Sequence, residues 1–190
     1  REQTQPTGPR RITGIVRDEQ GQPVPDAIVM TCPWMGTETI TNAKGAFKLR
    51  VDEKMRTMRE EEVTYLLVRQ KERNLAAAVE FDISASTVDV TLKPGVILSG
   101  KVIDAEGKGI PRSKLSLTFW TSRMGYGIRE DAKVDEEGYY EIRAVPPGYR
   151  YSVNASAEGY GETYVRIDTG EAANERLEVE SLVLSVANLS

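Results

Sequence analysis

The stretch Thr13-Gly14-Ile15-Val16-Arg17-Asp18-Glu19-Gln20-Gly21-Gln22-Pro23-Val24-Pro25 returns as Ser99-Gly100-Lys101-Val102-Ile103-Asp104-Ala105-Glu106-Gly107-Lys108-Gly109-Ile110-Pro111, 86 residues further on. A chain that repeats itself over about half its length must fold twice in the same way, so the repeat bounds the architecture before any other feature. Gly14/Gly100, Val16/Val102, Asp18/Asp104, Gly21/Gly107 and Pro25/Pro111 are identical pairs, and Trp34 falls on Trp120 at the same spacing. A second block, Asn42-Ala43-Lys44-Gly45-Ala46-Phe47-Lys48-Leu49, matches Asp135-Glu136-Glu137-Gly138-Tyr139-Tyr140-Glu141-Ile142 at a spacing of 93. The second copy has therefore gained 7 residues between Trp120 and Asp135. They are placed around 122–127, where Gly125-Tyr126-Gly127 reads as a loop.

Each copy reads as β. Segments near 12–17, 27–31, 46–51, 98–103, 115–119, 139–144 and 151–155 are short, several alternate apolar with polar residues, and Gly, Asp, Asn or Pro bounds many of them. Further strands are expected at 65–68, 76–81, 88–92, 164–167 and 177–184. The repeated turn has a physical logic, because Asp18 or Asp104 can bond its own backbone while Gly21 or Gly107 supplies a positive φ before the chain turns back. Asn42 to Gly45 and Asp135 to Gly138 repeat the device, each with an aromatic two residues past the glycine, where a strand points it inward. Residues 52–63 are dense in charge and in helix formers, and read as a solvated loop with at most one helical turn.

Composition removes whole classes of function. The chain has no histidine, which takes away the usual general base, the commonest zinc ligand and the Ser-His-Asp and Cys-His constellations. Its one cysteine, Cys32, can make no intrachain disulfide and reads as a buried small hydrophobe. The net charge of -4 falls in the second half, and no basic stripe marks a nucleic-acid binder. No run approaches the roughly 20 apolar residues of a membrane-spanning helix.

Gly14-Ile15-Val16 through Asp18, Gly21, Pro25-Asp26-Ala27, Asn42, Gly45 and Phe47 resemble a carboxypeptidase regulatory-like domain. The second copy resembles the same family through Gly100, Val102, Asp104, Gly107, Pro111, Asp135, Gly138 and Tyr140, and adds Val145-Pro146-Pro147-Gly148-Tyr149 and Glu158-Gly159-Tyr160. The first copy lacks the Pro-Pro-Gly element, and the second has Arg112-Ser113 where the first has Asp26-Ala27. The resemblance implies an all-β chain of two tandem Ig-like or prealbumin-like antiparallel β-sandwiches, modules appended to larger proteins and without chemistry of their own. Hydroxyisourate hydrolases of similar fold depend on histidines that this chain lacks. The expected organisation is a linker over 1–10, a first sandwich over 11–93, a hinge at 94–95, a second sandwich over 96–185 and a junction to a following region over 186–190. With so short a hinge the two sandwiches are expected to touch at a restricted angle.

Each candidate constellation has a plainer reading beside it. Asp135/Glu137 and Glu178/Glu180 could serve acid-base work, but solvated turns and strand faces account for them better. Asp18/Glu19 and Asp104/Glu106 do not have the ligand spacing of a Ca²⁺ loop. Lys101 and Lys114 with Asn174 and Asn188 could form a Lys-Asn isopeptide bond only if buried, and alternation places both lysines on polar faces. Asn154-Ala155-Ser156 and Asn188-Leu189-Ser190 fit the N-glycosylation triplet, a short and common pattern. Trp34 and Trp120, with Tyr126 in the longer second loop, are the candidate ligand-binding residues, since an exposed indole stacks on sugar rings. The plainer expectation is that each Trp plugs one end of its own sandwich, because burying a large ring stabilises every copy in which it recurs.

The sequence thus points to a non-catalytic structural spacer or interaction segment of a larger extracytoplasmic, bacterial protein, with carbohydrate binding through Trp34, Trp120 and Tyr126 as the alternative. The compartment follows from the family resemblance alone. No catalytic residue, cofactor or metal site is expected. The expected partners are neighbouring domains of the same polypeptide and protein or polysaccharide at the cell surface, with no nucleic acid and no membrane insertion.

Overall fold

A computed structural model describes residues 10–33, 38–51, 63–82, 84–122 and 124–187. The expected 1–10 linker (except Arg10), Trp34, the charged segment (except Val63) and Asn188 lie outside the described residues. The chain divides into two compact units, Arg1–Gln70 with Ala77–Lys93, and Lys71–Ala76 with Pro94–Ser190. Every regular element among the described residues is a strand.

The first unit holds β1 (Arg10–Asp18), β2 (Ile28–Cys32), β3 (Thr39–Ile40), β4 (Ala46–Val51), β5 (Thr64–Gln70), β6 (Leu75–Phe81) and β7 (Val90–Pro94). They follow one another in the order β3-β2-β5-β6-β7-β1-β4. The second unit holds β8 (Val96–Ile103), β9 (Lys114–Trp120), β10 (Gly125–Arg129), β11 (Tyr139–Val145), β12 (Arg150–Ser156), β13 (Thr163–Asp168), β14 (Arg176–Glu178) and β15 (Leu182–Val183). Its two sheets run β10-β9-β12-β13 and β11-β8-β14, with β15 also on β8. The two orders are the same pattern: in each copy the strands run third, second, fifth, sixth, and the first lies between the fourth and the seventh. In the first copy β6 also pairs with β7 and joins the halves into one sheet.

The structure departs from a purely antiparallel sandwich at the first strand of each copy, which takes parallel neighbours, β7 on β1 and both β14 and β15 on β8. Val16 to Asp18 run parallel to Val90 to Leu92, and Ile97 to Ser99 run parallel to Arg176 to Glu178. The alternation of a strand reports which face is buried and is silent on the direction of its neighbour. A second departure is β10, read from its glycines as a loop but paired with β9 from Gly125↔Trp120 to Arg129↔Ser116. Glycine is poor in a strand interior and tolerated at an edge where no side chain is needed to pack. At the expected hinge, β7 runs through Pro94 and β8 begins at Val96. Past residue 185 the pairing continues, with Val186 bridging Tyr160 and the Ala187 amide donating to the Gly159 carbonyl at 3.0 Å.

The turns are built as the spacing predicts, four times over. Asp18 Oδ1 accepts from the amides of Gln20 and Gln22, and Asp104 Oδ1 from those of Glu106 and Lys108. Asn42 Oδ1 accepts from Lys44 and Ala46, and Asp135 Oδ1 from Glu137 and Tyr139. The glycine three residues on has a φ of 78° at Gly21, 83° at Gly107, 71° at Gly45 and 83° at Gly138, values that a Cβ disfavours. The change from Asp26-Ala27 to Arg112-Ser113 leaves the backbone alone, since Asp26 and Arg112 both sit in the left-handed region at 56° and 57°.

The cores are filled by one face of each strand. Ile12, Val29, Phe47, Leu49, Leu66 and Leu92 are buried in the first unit, and Leu98, Leu117, Phe119, Ile142, Tyr151 and Val153 in the second. Each copy closes its first strand against an aromatic ring in the same way. Gly14 pairs across with Phe47 and Gly100 with Tyr140, and a Cβ on either glycine would fall 2.8 Å from Phe47 Cε1 or 2.7 Å from Tyr140 Oη. The missing side chain is what lets the ring lie down on the neighbouring strand. Within the second unit, buried Asn74 ties three backbone groups: its Nδ2 donates to the Gly95 carbonyl, its Oδ1 accepts from the Ala144 amide, and its own carbonyl accepts from the Gly95 amide.

Candidate functional site

The outer face of the β10-β9-β12-β13 sheet gathers the chemistry of the second unit. Along β9 the inward residues Leu115, Leu117 and Phe119 are buried, so Lys114, Ser116, Thr118 and Trp120 point out. Cross-strand register turns this face into rows. One row reads Gly125, Trp120, Arg150, Asp168, the next Gly127, Thr118, Ser152, Arg166, and the next Arg129, Ser116, Asn154, Tyr164. Most of its floor is glycine, serine, threonine and asparagine, so it is shallow and polar between two rings.

Trp120 therefore does not plug the core; the strand's period of two carries it outward. It is half-buried, its Nε1 donates to Ser152 Oγ at 2.7 Å, and its ring lies close over Gly125, where a Cβ would stand 3.1 Å from the indole. The Arg166 guanidinium sits 5.0 Å from the Trp120 ring and 5.8 Å from the ring of Tyr164, which is 56% exposed. Both contacts are of cation-π type, and they place one cation near two aromatic rings. Tyr126 does not join this group. It pairs across with Phe119 and so belongs to the core-facing side, because the register set by the Thr121–Met124 turn puts Gly125, not Tyr126, beside Trp120.

Asn154 is fixed by its neighbours. Its Nδ2 lies 3.1 Å from Thr118 Oγ1, 3.2 Å from the Ser116 carbonyl and 3.3 Å from Ser116 Oγ, which occupies the nitrogen of that glycosylation triplet and leaves the amide oxygen as its acceptor. Beside it a groove of about 430 Å³ is lined by Lys114, Ser116, Asn154, Ser156, Glu162 and Tyr164. Tyr164 and Arg166 are the residues that sequence reasoning missed. Their alternation along β13 marks an outer face, but only the order β9-β12-β13 brings them near Trp120.

The other candidates fall to structural roles. The carboxylates of Asp18, Asp104 and Asp135 are engaged by turn amides, and among the described residues no group of three or more Cys, Asp or Glu side chains is placed to hold a metal ion. Lys101 lies 4.1 Å over the Tyr139 ring and Lys114 is exposed, so neither is the buried lysine that an isopeptide bond needs. Among the described residues the lysine that does meet carboxylates is Lys71, whose ammonium donates to Glu130 at 2.8 Å and to Asp131. That hydrogen bond is the main cause holding the Asp131 carboxyl below the usual range. Cys32 is buried, 2% exposed, in β2.

Residues 97–181 match the family model of the carboxypeptidase regulatory-like domain. No curated protein matches the chain in sequence. Among solved structures the chain is similar to the Bacillus anthracis TIE protein, at 13% identity and a TM-score of 0.39 over 94% of this chain and 34% of that one. It is similar to catechol 1,2-dioxygenase from Acinetobacter sp. ADP1, at 14% identity and a TM-score of 0.32 over 48% of this chain and 52% of that one. It is also similar to the C-terminal fragment of the pilus adhesin SpaC from Lactobacillus rhamnosus GG, at 8% identity and a TM-score of 0.37 over 96% and 99% of the two chains. The chain spans about a third to a half of the length of the first two.

Proposed function

We propose that the chain is a tandem pair of carboxypeptidase regulatory-like β-sandwiches that serves as a non-catalytic structural and interaction segment of a larger extracytoplasmic bacterial protein. The observation that carries this reading is the duplicated strand order, with the same two Asx-Gly turns and the same glycine-under-aromatic contact in each copy. The family match over 97–181 supports the second copy directly, and the repeat extends it to the first. The polar groups with the most chemical potential are engaged in holding turns, which is the economy of a scaffold. Surface proteolysis of intact cells that make the full gene product tests the location: cleavage within this chain by an added protease supports it, and complete protection until lysis speaks against a surface site.

A second reading, carbohydrate recognition, is favoured by the outward position of Trp120 with Tyr164 and Arg166. It replaces Tyr126 with residues of β13. Retention of the chain on immobilised polysaccharide, lost in Tyr164→Ala, is the result this reading expects.

A further inference from the structure

The sugar reading leaves the class of sugar open, and the charges on the face narrow it. Lys114, Arg129, Arg150 and Arg166 all project from the outer face of β10-β9-β12-β13 and all are exposed. The carboxylates of that face are Asp168, opposite Arg150, and Glu162 at the rim of the groove. None of the four cations takes part in an ion pair among the described residues. The chain as a whole carries -4, and its second half supplies all of that excess. A face with a cationic surplus on an acidic protein attracts an anion to that one place, while the rest of the surface repels it.

Arg166 gives that attraction a geometry. Its guanidinium lies within cation-π distance of the rings of Trp120 and Tyr164 and the residue is exposed, so N–H donors are available to fork a carboxylate beside the rings. The exposed Tyr164 ring offers an apolar face to the C–H side of a pyranose, and Asn154 Oδ1 offers an acceptor to a hydroxyl. The two rings stand no more than about 11 Å apart, since Arg166 touches both, so one short oligosaccharide reaches both. Resting on the sugar-recognition reading above, we propose that this face binds uronic-acid polysaccharide, with Tyr164 stacking a sugar ring and Arg166 pairing with its carboxylate.

The test is titration calorimetry of the whole 190-residue chain with oligogalacturonate, with a neutral galactan of similar length and with polyphosphate. The proposal expects oligogalacturonate to bind and the two other polymers to bind at least tenfold more weakly. Both Arg166→Gln and Tyr164→Ala, at exposed sites that do not carry the core, should weaken oligogalacturonate binding by about tenfold or more with an unchanged circular dichroism spectrum. Binding that weakens as salt is raised supports the ionic part. Equal binding of the neutral galactan, lost in Tyr164→Ala, would keep the sugar reading and overturn the acidic one. Equal binding of polyphosphate, indifferent to Tyr164→Ala, would reduce the face to an anion patch and overturn the proposal. No binding of any glycan would overturn both the proposal and the reading beneath it.

Discussion

Tyr140 carries a buried hydroxyl for which the described residues provide no hydrogen-bond partner, and its removal should make the protein more stable. The side chain is 4% exposed and lies over Gly100, and its counterpart in the first copy, Phe47, fills the same place over Gly14 without an oxygen. A buried, unsatisfied hydroxyl costs about 1–3 kcal/mol of desolvation, while the packing contacts of one oxygen return only a few tenths. Tyr140→Phe is therefore expected to gain about 1 kcal/mol at pH 7, or roughly 4–8 °C in the midpoint of a unit of this size. The gain should grow in alkali. Burial raises the phenol's pKa, so the folded state stays protonated where the unfolded phenol, near 10, begins to ionise. Wild-type stability thus falls above about pH 10 by up to about 1.4 kcal/mol per pH unit from this group alone, and the phenylalanine variant escapes that share. Urea melts followed by circular dichroism at pH 7 and pH 10.5 measure both effects. A variant less stable than wild type by more than about 0.5 kcal/mol, or a gap that does not widen with pH, would refute the reasoning.

The remaining predictions test packing and turns. Gly14→Ala should cost more than Gly100→Ala in urea melts, roughly 3 kcal/mol or more against 1–3, because the first methyl would meet the Val88 backbone carbonyl at 1.9 Å and the second the Tyr140 side chain at 2.7 Å; equal costs would contradict the geometry. Arg112→Asn should gain about 0.5 kcal/mol, since Asn tolerates the left-handed φ of 57° better than Arg, and a loss in thermal melts would show that the Arg side chain is needed there. Trp120→Ala should cost about 1–2 kcal/mol, the worth of a half-buried ring and one hydrogen bond, whereas a loss of 3–5 in denaturant melts would restore the expectation of a core plug.

The repeat made the turns and the inward faces legible, because an Asx residue and a glycine three apart have few other uses and a period of two marks the buried side. Phe47 and Tyr140 could be placed inward from that period alone. The parallel closure of β1 on β7 and of β8 on β14 was not legible, since it depends on how distant segments meet and leaves no mark on either strand. The site suffered from the same blindness at closer range. Trp120 and Tyr126 are six residues apart and were expected together, yet a turn of one particular length sends them to opposite faces. Tyr164 and Arg166 lie some forty residues from Trp120 and reach it only through the sheet order.

The most direct test of the account is a set of interstrand nuclear Overhauser contacts in the isotopically labelled chain, because the central claim is that each half folds on its own repeat in one and the same strand order. Contacts from Arg17 to Thr91 and from Leu98 to Leu177 in parallel register, with Gly14 opposite Phe47 and Gly100 opposite Tyr140 in antiparallel register, are the predicted result. Contacts that pair β1 with β11, or β8 with β4, would show strands of the two copies mixed in one sandwich and would contradict it.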